Sequence, residues 1–322
     1  MEPVFALTEP PSDFLEVFDR DGCYVFPGCL TAAGIAQLEA EMAGTLQTKA
    51  WGFGSLDDDA APGSSDTFGM SERSMLVRGP VADAPELGVS AWPAPGTASF
   101  QLIDDAFVVS CLELAIGAPF HFCHCAYGYR TPGAGGMGFH QGERRPACAA
   151  ARTDGSPGWA DHHHWNHEHP VNIRERDNYY IQLLYYPSGF KKGDGSLRYI
   201  PGSHKVSPKE ANEWVNAGPG LEPGQHSNPT EPGFESVDPE LPPGSMVFID
   251  ARMYHAVYDK PEDSAVPFRT YLNFIFKQEG PPHRFTQPIP STYPMADPLH
   301  RMMFDRPAWT PEVWEEGGAA KL

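Results

Sequence analysis

The chain has 322 residues, 41% of them hydrophobic and 12% aromatic, enough apolar side chain for a sizeable core and too much for a disordered chain. Its 34 prolines and 32 glycines suit a turn-rich β fold better than a helical one. With 42 acidic against 23 basic side chains the formal net charge is −19, which excludes nucleic acid and anionic membrane surfaces as partners.

Residues 1–12 read as a loose acidic arm, without the basic and apolar stretches of an export signal. Phe14, Val17 and Phe18 keep helical spacing until Gly22 ends the helix. CYVF at 23–26 makes a short strand, Thr31 caps a second helix, and Ile35, Leu38 and Met42 share one face of it. Residues 52–70, small and polar, read as a loop that closes over a site. From about 98 onward short apolar segments alternate with turns: FQLI, AFVVSCLELAIG, FHFCHCAYGYR, MGFH, YYIQLLYYP, SLRYIPGSH, SMVFIDARMYHAVY and FRTYLNFIF. Strands of this size without intervening helices predict a double-sheet jelly roll or a related barrel. Residues 205–243 read as a long insertion between two strands.

The expected organisation is a single domain over 1–322. It has an N-terminal helical region at 1–50, a β core at about 97–285 and an irregular C-terminal extension at 286–322. No apolar run reaches transmembrane length. The six cysteines, Cys23, Cys29, Cys111, Cys123, Cys125 and Cys148, contain no CxxC pair and read as reduced thiols of a cytoplasmic protein. Cys123 and Cys125 suit alternate positions of one strand.

The chemistry is clearest in GSMVFIDARMYHAVYDKPEDSAVPFRTYLNFIFK, where a strand leads to His255 and the next strand opens with Arg269. Alone, His255 reads as a core histidine and Arg269 as half of a surface ion pair. In this order they read together: a neutral imidazole for a metal, and a planar fork for a carboxylate. A metal beside a carboxylate-binding arginine is what a 2-oxoacid cosubstrate requires. Tyr180 and Gln182 alternate onto one face of YYIQLLYYP, and Tyr271 and Asn273 follow Arg269 at the same spacing. Arg130 reads as either a surface residue or a contact for a substrate anion. His204 reads as a cap of the PGSH corner.

GDGSLRYIPGSHK, followed by PGSMVFIDARMYHA and an Arg-led strand, resembles the phytanoyl-CoA dioxygenase family of iron(II)/2-oxoglutarate oxygenases. VFDRDGCYVFPGCLTAAGIAQLEAEM and YGYRTPGAGGMGFHQ add to the likeness, which spans roughly 14–280. The resemblance implies a mostly β fold with flanking helices, a cupin-like double-stranded β-helix. It implies Fe(II) held by two histidines and a carboxylate, with 2-oxoglutarate and O2 as cosubstrates and a hydroxylated small molecule as product. His255 matches the distal histidine, Arg269 the arginine that grips 2-oxoglutarate, and the strand of Tyr180 and Gln182 the wall of the cosubstrate pocket. His140 matches the first histidine.

The family's His-x-Asp pattern is broken here, because FHQGERRPACAA puts Gly142 at the acid position. In one reading an insertion at 142–160 displaces the acid to Asp161, at the head of DHHHWNHEHP. In a second, Gly142 leaves the site to a halide, as in the family's halogenases. In a third, His162 or His164 replaces His140. Glu143 is a further acid, but a ligand three residues after His140 needs an unusual turn. The insertion reading is adopted, giving His140, Asp161 and His255 as metal ligands. His162, His163 and His164 then lie near the site or face substrate, and His167, Glu168 and His169 lie on its approach. A jelly-roll binding protein without catalysis is the alternative from another class.

Overall fold

The computed structural model describes residues 2–48, 86–90, 93–134, 137–140, 180–205, 235–266, 269–278 and 292–304. Among the described residues, nine strands form two antiparallel sheets. The larger contains β1 (Cys23–Phe26), β2 (Glu86–Ser90), β3 (Phe120–Arg130), β5 (Tyr180–Tyr186), β7 (Ser245–Asp250) and β9 (Arg269–Gln278), in the order β1-β7-β5-β9-β3-β2. The smaller contains β4 (Met137–His140), β6 (Leu197–Tyr199) and β8 (His255–Val257), in the order β4-β8-β6. The helices are α1 (Phe14–Asp21), α2 (Ala32–Thr48), α3 (Ala98–Asp104), α4 (Ala106–Ile116) and α5 (Pro298–Phe304).

Strand alternation divides the larger sheet into two faces. One face carries Ile181, Leu183, Tyr185, Phe248, Leu272, Phe274 and Phe276, which join Phe14, Phe18, Leu38 and Leu112 of the helices in one core cluster. The other face carries Leu184, Tyr186, Val247, Ile249 and Tyr271, which pack with Leu197 and Tyr199 of the smaller sheet. The larger sheet is therefore covered on both sides, and every residue of β5 is buried. The inner face, toward the smaller sheet, is where the polar side chains lie.

The first helix ends as the sequence indicates. Gly22 has φ +81, and its N–H donates to the Phe18 carbonyl at 2.9 Å. A Cβ at Gly22 would overlap the His204 ring, so the turn requires glycine twice over. Thr31 Oγ1 accepts from Gly34 N at 2.9 Å, as a cap should.

Four expectations change. AFVVSCLELAIG and FQLI are helices α4 and α3, capped by Asp105 and Thr97, whose side chains accept from Phe107 N and Phe100 N. Helix α4 buries one face, Phe107, Val108, Cys111, Leu112, Ala115 and Ile116, but its outer face carries the apolar Val109 and Leu114, which erases the polar contrast that marks a surface helix. The arm is not loose, because Val4 and Phe5 are buried and Phe5 bridges Leu30. Within 286–322, Pro298–Phe304 is helical and packs Met303 and Phe304 into the main core. Finally, a bulge between Phe122 and His124 shifts the register of β3 on β9. Cys123 consequently packs with Tyr180, Ala251 and Ile275, while Cys125 joins the helix-side core. The five described cysteines are free thiols. The segments 52–70 and 142–160 lie outside the described residues, as does 206–234 of the long insertion.

Candidate functional site

His255 opens β8 and is buried. Its Nδ1 lies 3.0 Å from the Met253 carbonyl, which only accepts, so Nδ1 carries the proton and Nε2 is the basic nitrogen. Burial lowers its pKa and favours the neutral ring, the form that ligates metals. In the smaller sheet His255 stands between Tyr199 of β6 and His140 of β4, directly in register with both.

The turn that delivers His255 is held by groups that the sequence reading passed over. Asp250 Oδ1 accepts from the Arg252 backbone N–H at 2.8 Å, and Arg252 Nη2 donates to Asp250 Oδ2 at 2.7 Å. This ion pair is buried. Ser203 Oγ accepts from Tyr254 N at 2.9 Å, and Ile200 N donates to the Tyr254 carbonyl at 2.9 Å. The PGSH corner thus grips the residue next to the histidine. The available signal was the Asp-x-Arg spacing at the end of a strand, which closes a local ion pair.

Arg269, the first residue of β9, is 4% exposed. Its guanidinium carbon lies 5.5 Å from the ring centroids of Tyr186 and Tyr271 and 5.9 Å from that of Phe190. Ser188 Oγ accepts from Thr270 N at 3.1 Å and fixes the start of the strand. The Tyr186 phenol is pushed up to about 12 by burial, against the opposing pull of Arg269 and Arg130. Arg130, at the end of β3, is 1% exposed, so the surface alternative fails.

Tyr180 and Gln182 lie on the same inner face. Gln182 pairs with Ile249 of β7 and Ile275 of β9, and Tyr180 packs with Ile275 and Ala251. The buried Gln182 Oε1 has no hydrogen-bond partner among the described residues, nor does the buried Asn273 Oδ1 on β9. An unmet buried amide costs about 1–3 kcal/mol, and a polar ligand between the sheets would remove that cost. His204 keeps to the corner, its Nε2 donating to the Asp19 carbonyl at 3.3 Å.

The structure thus places Arg269, Gln182 and Tyr180 on the inner face of the larger sheet and His255 on the smaller sheet, in register with His140. Asp161, Gly142, Glu143 and the histidines of DHHHWNHEHP lie outside the described residues. Among the described residues no group of three or more His, Cys, Asp or Glu is placed to hold a metal. His255 nonetheless fits one ligand position, being neutral, buried and oriented by its Nδ1 bond. The two amide oxygens lack a hydrogen-bond partner among the described residues.

Residues 152–259 match the family model "Phytanoyl-CoA dioxygenase (PhyH)", a range that includes Asp161 and His255 but not His140. Similar solved structures share the fold at low identity. The EctD protein of S. alaskensis in its apoform is 14% identical, with a TM-score of 0.51 over 86% of this chain and 82% of that one. The epimerase SnoN, in complex with Fe3+, alpha ketoglutarate and nogalamycin RO, is 16% identical, with a TM-score of 0.50 over 88% and 91%. HygX of Streptomyces hygroscopicus with iron bound is 16% identical, with a TM-score of 0.50 over 84% and 87%. No curated protein matches the chain by sequence.

Proposed function

We propose, from the phytanoyl-CoA dioxygenase match over 152–259, that the chain is an iron(II)- and 2-oxoglutarate-dependent dioxygenase that hydroxylates a small molecule. The two sheets are then the halves of a double-stranded β-helix. The observation that carries the reading is the pairing of chemistries across the inter-sheet space. A neutral, oriented His255 stands in register with His140 on the smaller sheet, and a buried Arg269 sits on the inner face of the larger.

His140, Asp161 and His255 would hold the metal, a two-histidine, one-carboxylate set that leaves positions open for cosubstrate and O2. Bound iron(II) supplies the oxidative decarboxylation of 2-oxoglutarate to succinate and carbon dioxide, coupled to oxygen insertion into substrate. The protein's part is positioning. Arg269 pairs with the far carboxylate through its fork, and the rings of Tyr186, Phe190 and Tyr271 keep that pair dry and strong. The Gln182 amide, and Tyr180 beside it, line the wall along which the cosubstrate lies. The Asp250–Arg252 pair keeps the His255 turn from shifting.

The test is an anaerobic titration with iron(II) and then 2-oxoglutarate, followed in the visible region. Wild type develops a weak metal-to-ligand charge-transfer band, and His255→Ala does not. A wild-type protein that retains no iron and gives no band overturns the proposal.

A further inference from the structure

We infer that Ser203 is a positioning residue for His255: its hydroxyl ties the turn that carries the histidine to the carbonyl end of helix α1. The inference rests on the proposed function, in which His255 holds the metal, and names the side chain that sets the direction of that ligand.

Ser203 is fully buried, and its hydroxyl is used twice. It accepts from Tyr254 N at 2.9 Å and donates to the Ile200 carbonyl at 2.6 Å. Ile200 N in turn donates to the Tyr254 carbonyl at 2.9 Å, one step beyond the pairing of Tyr199 with His255. The corner therefore holds the peptide groups on both sides of Tyr254. The second of them leads directly into His255, so a shift there swings the ring.

The other side of the turn is tied independently. Met253 N donates to the Asp250 carbonyl at 2.9 Å, and the Met253 carbonyl accepts the His255 Nδ1 proton at 3.0 Å. Both lines of bonds end on one element. The last carbonyls of a helix have no partner within it. In α1 the Asp19 carbonyl accepts from His204 Nε2 at 3.3 Å and that of Asp21 from Gly202 N at 2.8 Å. The Gly22 carbonyl, just past the helix, accepts from Asp250 N at 2.8 Å. Helix α1 thus anchors the residues on either side of Ser203 and also the strand end before the histidine. Two anchors on one rigid element fix their separation, and Ser203 is the side chain that carries the first of them across to Tyr254.

The test reads the metal site and not activity. Cobalt(II) alone is titrated into anaerobic wild type, Ser203→Ala, His255→Ala and Leu112→Ala, following the dissociation constant and the visible d–d bands. His255→Ala defines the binding that depends on His255. Leu112→Ala, in the helix-side core, lowers stability without touching the corner. Ser203→Ala weakens the His255-dependent binding by about tenfold and shifts the bands, while Leu112→Ala stays within about twofold of wild type with its bands in place. Ser203→Cys, of similar size but a weak acceptor, shows the same effect at smaller size and carries the comparison should the alanine variant fail to fold. Equal weakening in Ser203→Ala and Leu112→Ala would mean that the hydroxyl serves stability alone, and would overturn the inference. Unchanged binding and bands in Ser203→Ala overturn it as well, and both outcomes leave the proposed function standing. Wild-type binding no stronger than that of His255→Ala sinks the proposed function and the inference together, an outcome recognisable before the serine variant is made.

Discussion

His204 is buried against Gly22, and burial lowers its pKa to about 4, although Asp250 opposes the shift and Arg252 and Lys205 add to it. A histidine whose folded pKa is depressed takes its proton first in the unfolded chain. Stability is therefore full above pH 6.5 and erodes as pH falls, by up to about 3 kcal/mol near pH 4. Urea unfolding of His204→Gln across pH 4–7 gives a shallower acid slope than wild type; the remainder belongs partly to His255, whose shift has the same sign. At Arg269, truncation to Met raises the dissociation constant for 2-oxoglutarate by roughly a hundredfold, since the partner carboxylate is left in a dry pocket. An effect below about threefold in a binding titration contradicts its assigned role. The placement of Arg269 and His255 at strand starts was foreshadowed by the order of their types, a histidine after one strand and an arginine at the head of a later one. Arg130 and Asp250 were not, since an isolated basic or acidic letter says nothing of its burial.

At the scale of elements, the turn from α1 to β1 is the sharpest dependence. Gly22→Ala places a methyl group in the His204 ring and forces an L-residue to φ +81. A loss of about 2–4 kcal/mol follows, read by thermal or urea unfolding. A neutral outcome would mean that the corner and the first helix are not packed as described. The helices α3 and α4 show where periodicity misleads. An apolar run buried nearly all round, as in α3, or apolar on its outer face as well, as in α4, has no contrast to reveal its period, and the marks left were Thr97 and Asp105 at the two starts. Strands β5, β7 and β9 were legible from β-branched and aromatic runs bounded by Pro and Gly. The bulge in β3 was not, because nothing in FHFCHC distinguishes the residue that steps out of the ladder.

For the whole molecule, the net charge is −19, while Arg130, Arg269 and Lys277 are among the described residues buried on or beside one sheet face. A dianionic cosubstrate would therefore meet repulsion on approach. Its association rate rises by a few-fold between about 10 and 150 mM salt, as screening lowers the outer barrier, in stopped-flow mixing with the iron-loaded protein. A rate that falls with salt would mean that a basic entrance dominates.

The bulge at Phe122/His124 acts as a phase shift in the chain. Before it, odd positions of β3 lie on the inner face; beyond it, even positions do, as at Gly128 and Arg130, while Cys125 and Tyr127 turn to the helices. Removing Cys123 would restore one-to-one pairing and leave both halves facing as they do; straightening the ladder with the residue retained would instead exchange the two sides for one half of the strand, thrusting Phe120 and Phe122 into the polar space and His121 into the oily layer under the helices. One extra backbone step thus lets both halves of the strand keep the same face toward the helices. Deletion of Cys123 should be far better tolerated than deletion of a residue elsewhere in β3, where no bulge absorbs the change.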